Sequence, residues 1–194
     1  MTASSVCLDE HAAVNKVIVI LDGLCGHLRD GKDPDAGDWP KVVEFLSVFV
    51  DSCHFVKEEQ WLFPALREVA DEETHQLIRR LLGDHESGRA HVASLAKAVE
   101  SASGKSSRLW RGRAIDRTRA MEAIEGYVDV FRPHIVTEEA ILFPLADQVL
   151  AEETQETLRK GYDRIERDII GPGRYEGFQV MLQELAERYG ADQL

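Results

Sequence analysis

Residues 54–64 read His54-Phe-Val-Lys-Glu58-Glu59-Gln-Trp-Leu-Phe-Pro64, and eighty positions later the chain reads His134-Ile-Val-Thr-Glu138-Glu139-Ala-Ile-Leu-Phe-Pro144. In each copy a histidine precedes a glutamate by four positions. On an α-helix this spacing brings both side chains to one face, about one turn apart. Imidazole and carboxylate groups presented twice in this way are four of the ligands that a binuclear metal site in a helix bundle needs.

The rest of the chain reads as a series of amphipathic helices. Between glycine- and proline-rich interruptions the apolar residues recur with a period close to 3.6, and no segment shows the alternation typical of a strand. Helices are predicted at 5–29, 38–64, 71–99, 108–144, 154–170 and 175–189, with a polar break at 101–107. Pro64 should end or kink the second helix, and Pro133 should kink the fourth.

This pattern predicts an all-α fold. We expect residues 1–150 to form an antiparallel four-helix bundle and residues 151–194 to form a C-terminal helical hairpin packed on it.

Two more histidines complete the candidate site. His11 lies on the apolar stripe of the first predicted helix, and His85 lies on that of the third. The candidate metal ligands are therefore His11, His54, Glu58, His85, His134 and Glu138. Glu59 and Glu139 compete with their neighbours for the same role. The i+4 geometry favours Glu58 and Glu138, although a bulge near Pro133 would turn Glu139 inward.

Composition excludes several classes of function. The chain has 194 residues, of which 44% are hydrophobic, and a net charge of −12, which argues against binding to nucleic acid or to anionic membranes. It has neither the N-terminal pattern of a signal peptide nor an apolar run of about 20 residues. Its three cysteines form no Cys-x-x-Cys pair. We expect a cytoplasmic protein.

Residues 8 to 145 resemble the hemerythrin-like (HHE cation-binding) family. The resemblance rests on Glu10-His11, on the two His-x-x-x-Glu-Glu patterns followed by Leu-Phe-Pro, and on Asp84-His85-Glu86. It implies a non-haem di-iron site in the bundle core, with an oxo or hydroxo bridge and with Glu58 and Glu138 as bridging carboxylates. An iron–manganese pair remains an alternative.

The sequence departs from the oxygen-carrying members in two ways. On the fourth helix those members use a histidine and an aspartate five positions apart, whereas here Glu138 and Glu139, four and five positions after His134, compete. The other departure is on the third helix. Those proteins have a second histidine four residues after the one on the third helix, whereas this chain has Arg89 there. His91 is six positions from His85 and so faces away from it. The loss leaves an additional open coordination position. Tyr127 lies on the same helical face as His134, and it can reach that position or hydrogen-bond a bound oxygen species. Arg89 can stabilise a bound anion or pair with Glu86 or a ligand carboxylate.

Three functions follow as expectations from the resemblance. The first is a protein that binds or senses O₂, peroxide or nitric oxide without turning it over. The alternative is a di-iron enzyme that consumes peroxide or oxidises iron, using the additional open position. The third is repair of iron–sulfur centres after nitrosative stress, which ranks last because only ten residues precede His11, whereas such relatives carry a cysteine-bearing extension. A small diatomic or peroxide ligand is the expected partner, and the sequence identifies no protein partner.

Overall fold

The structure, a computed structural model, describes residues 2–100 and 115–190. Every regular element in these two ranges is helical, as the sequence predicts. Some segments are π-helical, with hydrogen bonds between residues five apart, and these are labelled π. The elements are α1 (Ala3–Arg29), α2 (Asp38–Glu44), π1 (Phe45–Phe55), π2 (Glu58–Leu62), α3 (Phe63–Val69), α4 (Glu72–Glu100), α5 (Arg117–Thr137), π3 (Glu138–Leu142), α6 (Phe143–Val149), α7 (Glu152–Ile165), π4 (Glu166–Ile170) and α8 (Arg174–Tyr189).

The helices continue past the proline that closes each copy of the repeated pattern. Proline lacks an N–H donor and its ring collides with the carbonyl four residues earlier in an α-helix. A π-helical turn directly before each proline relieves this conflict: Phe63 N–H donates to the Glu58 carbonyl, and Phe143 N–H donates to the Glu138 carbonyl. Of the two outcomes predicted for Pro64, an end or a kink, the end is wrong, because the helix continues as α3.

The helices α4 and α5 begin at aspartate caps. The Asp71 carboxylate accepts hydrogen bonds from the Thr74 N–H at 2.9 Å and from the Thr74 hydroxyl at 2.8 Å. Asp116 caps α5 by accepting from the Arg119 N–H at 3.2 Å. The predicted polar break and the predicted start near residue 108 lie outside the described residues. Pro133 lies inside α5, and the π-helical turn begins only at Glu138.

The buried apolar side chains form two separate clusters. One runs from Ala13 along α1 and includes Phe55 and Phe131, and the other includes Cys7, Leu62 and Leu142. Helix α4 packs along α5, and α1 packs against both α5 and α8. His11, Glu58, His85 and Glu138 each fall between residues of the two clusters along the chain, whereas His54 and His134 are flanked by residues of the first cluster. The polar site thus lies between two dry layers.

The C-terminal helices cover the segment that carries the first copy of the pattern. Helix α7 packs against α1 and π2, and π4 packs against π1. Gly161 permits a close approach, because a Cβ there would lie 2.6 Å from the Trp61 ring. Gly171 and Gly173 take positive φ values of 75° and 78°, which makes the turn into α8 possible. In the two described ranges we find no helix whose length and hydropathy would let it span a membrane.

Candidate metal centre

Six helical segments bring the six candidate ligands to one place. They are His11 of α1, His54 of π1, Glu58 of π2, His85 of α4, His134 of α5 and Glu138 of π3, and none is more than 2% exposed. Their ligand atoms form two groups of four, one with His11 and His54 and the other with His85 and His134. Glu58 and Glu138 belong to both groups, and within each group the ligand atoms lie within 4.8 Å of one another.

The Nε2 atom of every histidine points toward a shared glutamate. His11 and His134 each place Nε2 3.3 Å from Glu138 Oε2. His85 Nε2 lies 3.4 Å from Glu58 Oε2, and His54 Nε2 lies 3.6 Å from Glu58 Oε1. Nitrogen and carboxylate oxygen atoms therefore converge on two neighbouring positions.

The opposite ring nitrogen of each histidine contacts a carboxylate outside the two groups. The distances from Nδ1 are 2.9 Å for His54 to Glu10, 2.8 Å for His85 to Glu59, 3.2 Å for His134 to Asp84 and 3.0 Å for His11 to Glu139. Because an ionised carboxylate only accepts hydrogen bonds, a neutral ring carries its proton on Nδ1 and leaves Nε2 free as a ligand. These contacts fix both the tautomer and the orientation of the rings.

The two neighbouring glutamates in each copy thus occupy different surroundings. Glu58 and Glu138 are fully buried between the histidines. The side chains of Glu59 and Glu139 are 22% and 37% exposed and each contacts the outer nitrogen of a histidine. Of the two alternatives left open by the sequence, the structure places Glu58 and Glu138 inside.

The site has an approximate twofold symmetry that follows from the repeated pattern. The acidic residue just before the histidine of α1, Glu10, contacts His54 in the first copy, and Asp84 on α4 contacts His134 in the second. The first copy also supplies Glu59, which contacts His85, and the second copy supplies Glu139, which contacts His11. Sequence reasoning did not assign these roles to Glu10 and Asp84, although their positions directly before a candidate ligand offered a signal.

A buried lysine breaks this symmetry. Lys57 is fully buried, and its ammonium donates to Glu10 at 2.5 Å and to Glu166 of π4. Burial lowers the pKa of Lys57, but its neighbours, Glu10 first and Glu166 among the others, together raise it by more, so that the net shift is upward. The corresponding residue of the second copy is Thr137, so the repeat gave no indication of this role. The link Glu166–Lys57–Glu10–His54 connects the C-terminal helices to one side of the site.

The chemistry of the site favours a bound cation. His11 Nε2 and both carboxylate oxygens of Glu58 and Glu138 are buried and have no hydrogen-bond partner among the described residues. Such atoms are normally paired, and a metal ion would pair them. Burial lowers the pKa of His134, but Glu138, Asp84 and Glu58 together raise it by more, to about 10. Two buried carboxylates therefore attract positive charge, which either protons or metal ions supply.

Comparison with known protein families also indicates a cation-binding site. The family model of the hemerythrin HHE cation binding domain matches residues 2–146. The chain belongs to this family. The HHE domain binds metal cations, and the two buried histidine–glutamate groups of this member are able to hold them.

Comparison with individual proteins extends the similarity beyond residues 2–146 to the C-terminal helices. Uncharacterized proteins of Mycobacterium bovis and of two strains of Mycobacterium tuberculosis are each 21% identical over 191 residues. The alignment covers 96% of this chain and 69% of each relative. No solved structure gives a significant match.

In this HHE domain the two remaining predicted residues lie beside the ligand groups. Arg89 donates to Asp51 at 2.6 Å and to Glu59 at 2.8 Å, so the structure pairs it with these carboxylates and not with Glu86. Tyr127 is buried, and its ring stacks on Phe131 with the centroids 4.5 Å apart. The Phe131 ring in turn lies 5.0 Å from that of His134. Arg89 thus acts on His85 through Glu59.

Proposed function

We propose that the chain is a non-haem di-iron protein that binds or senses O₂, peroxide or nitric oxide. The observation that carries the proposal is the sharing of Glu58 and Glu138 between two buried groups, each completed by two histidines. His11 and His54 would hold one metal ion, and His85 and His134 the other. A bridged pair of irons supplies coordination positions at which such small ligands bind.

The choice of iron rests on the donor atoms. Imidazole nitrogen suits iron, copper, zinc and nickel, whereas carboxylate oxygen suits harder cations, and the site combines both without a thiolate in either four-residue group. Iron accepts both kinds of donor and carries out redox chemistry with oxygen species. An iron–manganese pair fits the same donors and is the alternative composition.

We also propose that the long helices form the antiparallel four-helix bundle expected for residues 1–150, with residues 151–194 as a helical hairpin on its side. The packing of α4 along α5 and of α1 against α5 supports the first part. The contacts of α7 with α1 and π2 support the second. The hydrogen-bonded link from Glu166 through Lys57 and Glu10 to His54 supports a role of the hairpin in the functional unit.

Residues around the proposed metal site orient its histidines and exclude water from it. The four outer carboxylates hold each Nε2 toward the interior, and the two apolar clusters exclude water on either side. Arg89, four residues after His85, is held by Asp51 and Glu59. The two groups therefore contain four histidines, one fewer than in the oxygen carriers. The coordination position left open supports the second candidate function, a di-iron enzyme that consumes peroxide or oxidises iron.

Metal content and an optical spectrum of the aerobically purified protein test the proposal. We expect about two irons per chain with near-ultraviolet bands, and the loss of binuclear binding in His54→Ala and in His134→Ala with the helix content largely retained. His75→Ala is the matched control, because His75 lies outside both groups and should leave the metal content unchanged. One zinc per chain, or full iron occupancy in His54→Ala, would contradict the assignment.

The same samples separate the two candidate functions. A stable adduct with O₂, nitric oxide or peroxide, without loss of the added ligand, supports binding or sensing. Rapid loss of peroxide with an intact spectrum supports the enzyme.

A further inference from the structure

Two series of charged side chains run from the protein surface to the metal centre. In the first, Glu166 of π4 accepts from the Lys57 ammonium, which also donates to Glu10 at 2.5 Å. Glu10 then contacts His54 Nδ1 at 2.9 Å. This series, the lysine link, ends at the group of four ligands that contains His11 and His54.

The second series has the same order of charges. Asp51 of π1 accepts from Arg89 at 2.6 Å, and Arg89 also donates to Glu59 at 2.8 Å. Glu59 then contacts His85 Nδ1 at 2.8 Å. This series, the arginine link, ends at the other group of four, which contains His85 and His134. Each metal position therefore has one link of carboxylate, cation, carboxylate and histidine.

The other histidine of each group has no such cation. His11 Nδ1 contacts Glu139, and His134 Nδ1 contacts Asp84. Within residues 2–100 and 115–190, no lysine or arginine pairs with either of these carboxylates. Each group thus combines one histidine whose outer carboxylate is paired with a cation and one whose outer carboxylate is not.

The charges of a link act on a metal ion through the histidine. A carboxylate at Nδ1 makes Nε2 a stronger donor, and a cation that pairs with the carboxylate weakens this effect. A nearby positive charge also favours the reduced, less positive state of the ion. Lys57 is fully buried, whereas the Arg89 side chain is 36% exposed, so water screens the charge of Lys57 less.

From these observations we infer that Lys57 and Arg89 are positioning residues that set the reduction potentials of the two proposed irons separately. Lys57 acts on the ion beside His54, and Arg89 acts on the ion beside His85. The carboxylate at the outer end of each link, 45% exposed in the lysine link and 37% in the arginine link, opposes its cation. The inference rests on the proposed function, because it requires two irons.

Redox titration of the full-length, iron-loaded protein with dithionite, followed by absorption, tests the inference through the two reduction steps. Loss of a cation should lower the equilibrium constant of one step, about tenfold in Lys57→Met and about threefold in Arg89→Met, or roughly 59 and 30 mV for one electron. Glu166→Gln and Asp51→Asn remove the opposing carboxylates and should raise it by up to about threefold. Variants of the lysine link should shift mainly one step, and variants of the arginine link mainly the other.

Glu156→Gln is the matched control. Glu156 lies on α7, is 55% exposed on its side chain and pairs with Lys160, which belongs to neither link. Both potentials of this variant should equal those of the parent protein. A role in packing alone would change stability or iron content, but it would not give opposite shifts for the cation and carboxylate variants.

The inference is overturned if the cation and carboxylate variants shift the potentials in the same direction, if none differs from Glu156→Gln, or if both links move the same step. Three of the four test variants change part-exposed side chains, so they decide the question even where Lys57→Met does not fold. Fewer than two irons in the parent protein would contradict the proposed function and this inference with it. Two irons with unchanged potentials in all four variants would overturn the inference alone.

Discussion

Replacing Lys57 with methionine should destabilise the protein more than any substitution of a surface lysine. Methionine keeps most of the aliphatic volume of the side chain but removes the ammonium group. Glu10 is only 5% exposed on its side chain and would lose the cation that lies 2.5 Å from it. Its remaining contact, with His54 Nδ1 at 2.9 Å, leaves the carboxylate partly stabilised.

The magnitude follows from the burial of the pair. Removing one partner of a buried ion pair costs about 3–5 kcal/mol, because the other charge stays buried without compensation. Since Glu10 retains His54, we expect the lower end, about 3 kcal/mol. The second partner, Glu166, is 45% exposed on its side chain and adds at most about 1 kcal/mol. With a slope of about 2 kcal/mol per molar urea, the midpoint should fall by roughly 1.5 M.

Urea unfolding followed by circular dichroism measures the effect, with Lys160→Met as the matched control. Lys160 pairs with Glu156 at 2.7 Å, but the two side chains are 72% and 55% exposed, so its loss should change stability by less than about 1 kcal/mol. Adding Glu10→Gln to Lys57→Met removes the uncompensated charge and should restore part of the stability. A Lys57→Met midpoint equal to that of Lys160→Met would show that the buried Lys57–Glu10 pair contributes no more to stability than a surface ion pair.

Three further outcomes are expected. Glu10→Gln should lower metal affinity about 10- to 100-fold, because it weakens the contact that orients His54, and an unchanged affinity in a metal titration would argue against that role. Arg89→His should slow peroxide turnover and lengthen the lifetime of an O₂ adduct, whereas unchanged values in both measurements would remove the link to the absent histidine. Chelation of the metal should lower the thermal midpoint, since an ion that binds only the folded state stabilises it, and a coincident calorimetric transition before and after chelation would contradict this.

The sequence predicts the central part of the site because its information is local. Two His-x-x-x-Glu spacings each place a pair of side chains on one helical face, and the packing of the helices brings the two pairs together. The structure brings the six predicted residues together, with Glu58 and Glu138 inside as the i+4 geometry favours. The all-helical fold and the family membership are confirmed.

The sequence does not predict the π-helical turns that precede Pro64 and Pro144. The sequence predicted an end or a kink at Pro64 and a helix that extends to Pro144, because hydrophobic periodicity indicates α-helices and gives no sign of a π-helical turn. The displaced hydrogen bonds from Phe63 and Phe143 are backbone features without a side-chain pattern. They allow α3 and α6 to continue the helices beyond the prolines.

The contacts of Lys57 could not be read from the sequence for a different reason. A lysine inside a helix is usually solvated, and only tertiary packing against π4 buries this one. Its partner Glu166 lies 109 positions away, in a segment for which the sequence indicated no role. A cleft lined by Tyr127 could not be predicted from the sequence either, because residues of three separate segments, π1, α4 and α5, form its walls.

Anomalous diffraction at the iron edge, from crystals of the protein as purified, would locate the proposed metal ions. We expect two iron peaks, roughly 3–4 Å apart, with Glu58 and Glu138 between them and two histidines beside each. A single peak, or two peaks that do not share these glutamates, would contradict the proposed di-iron site.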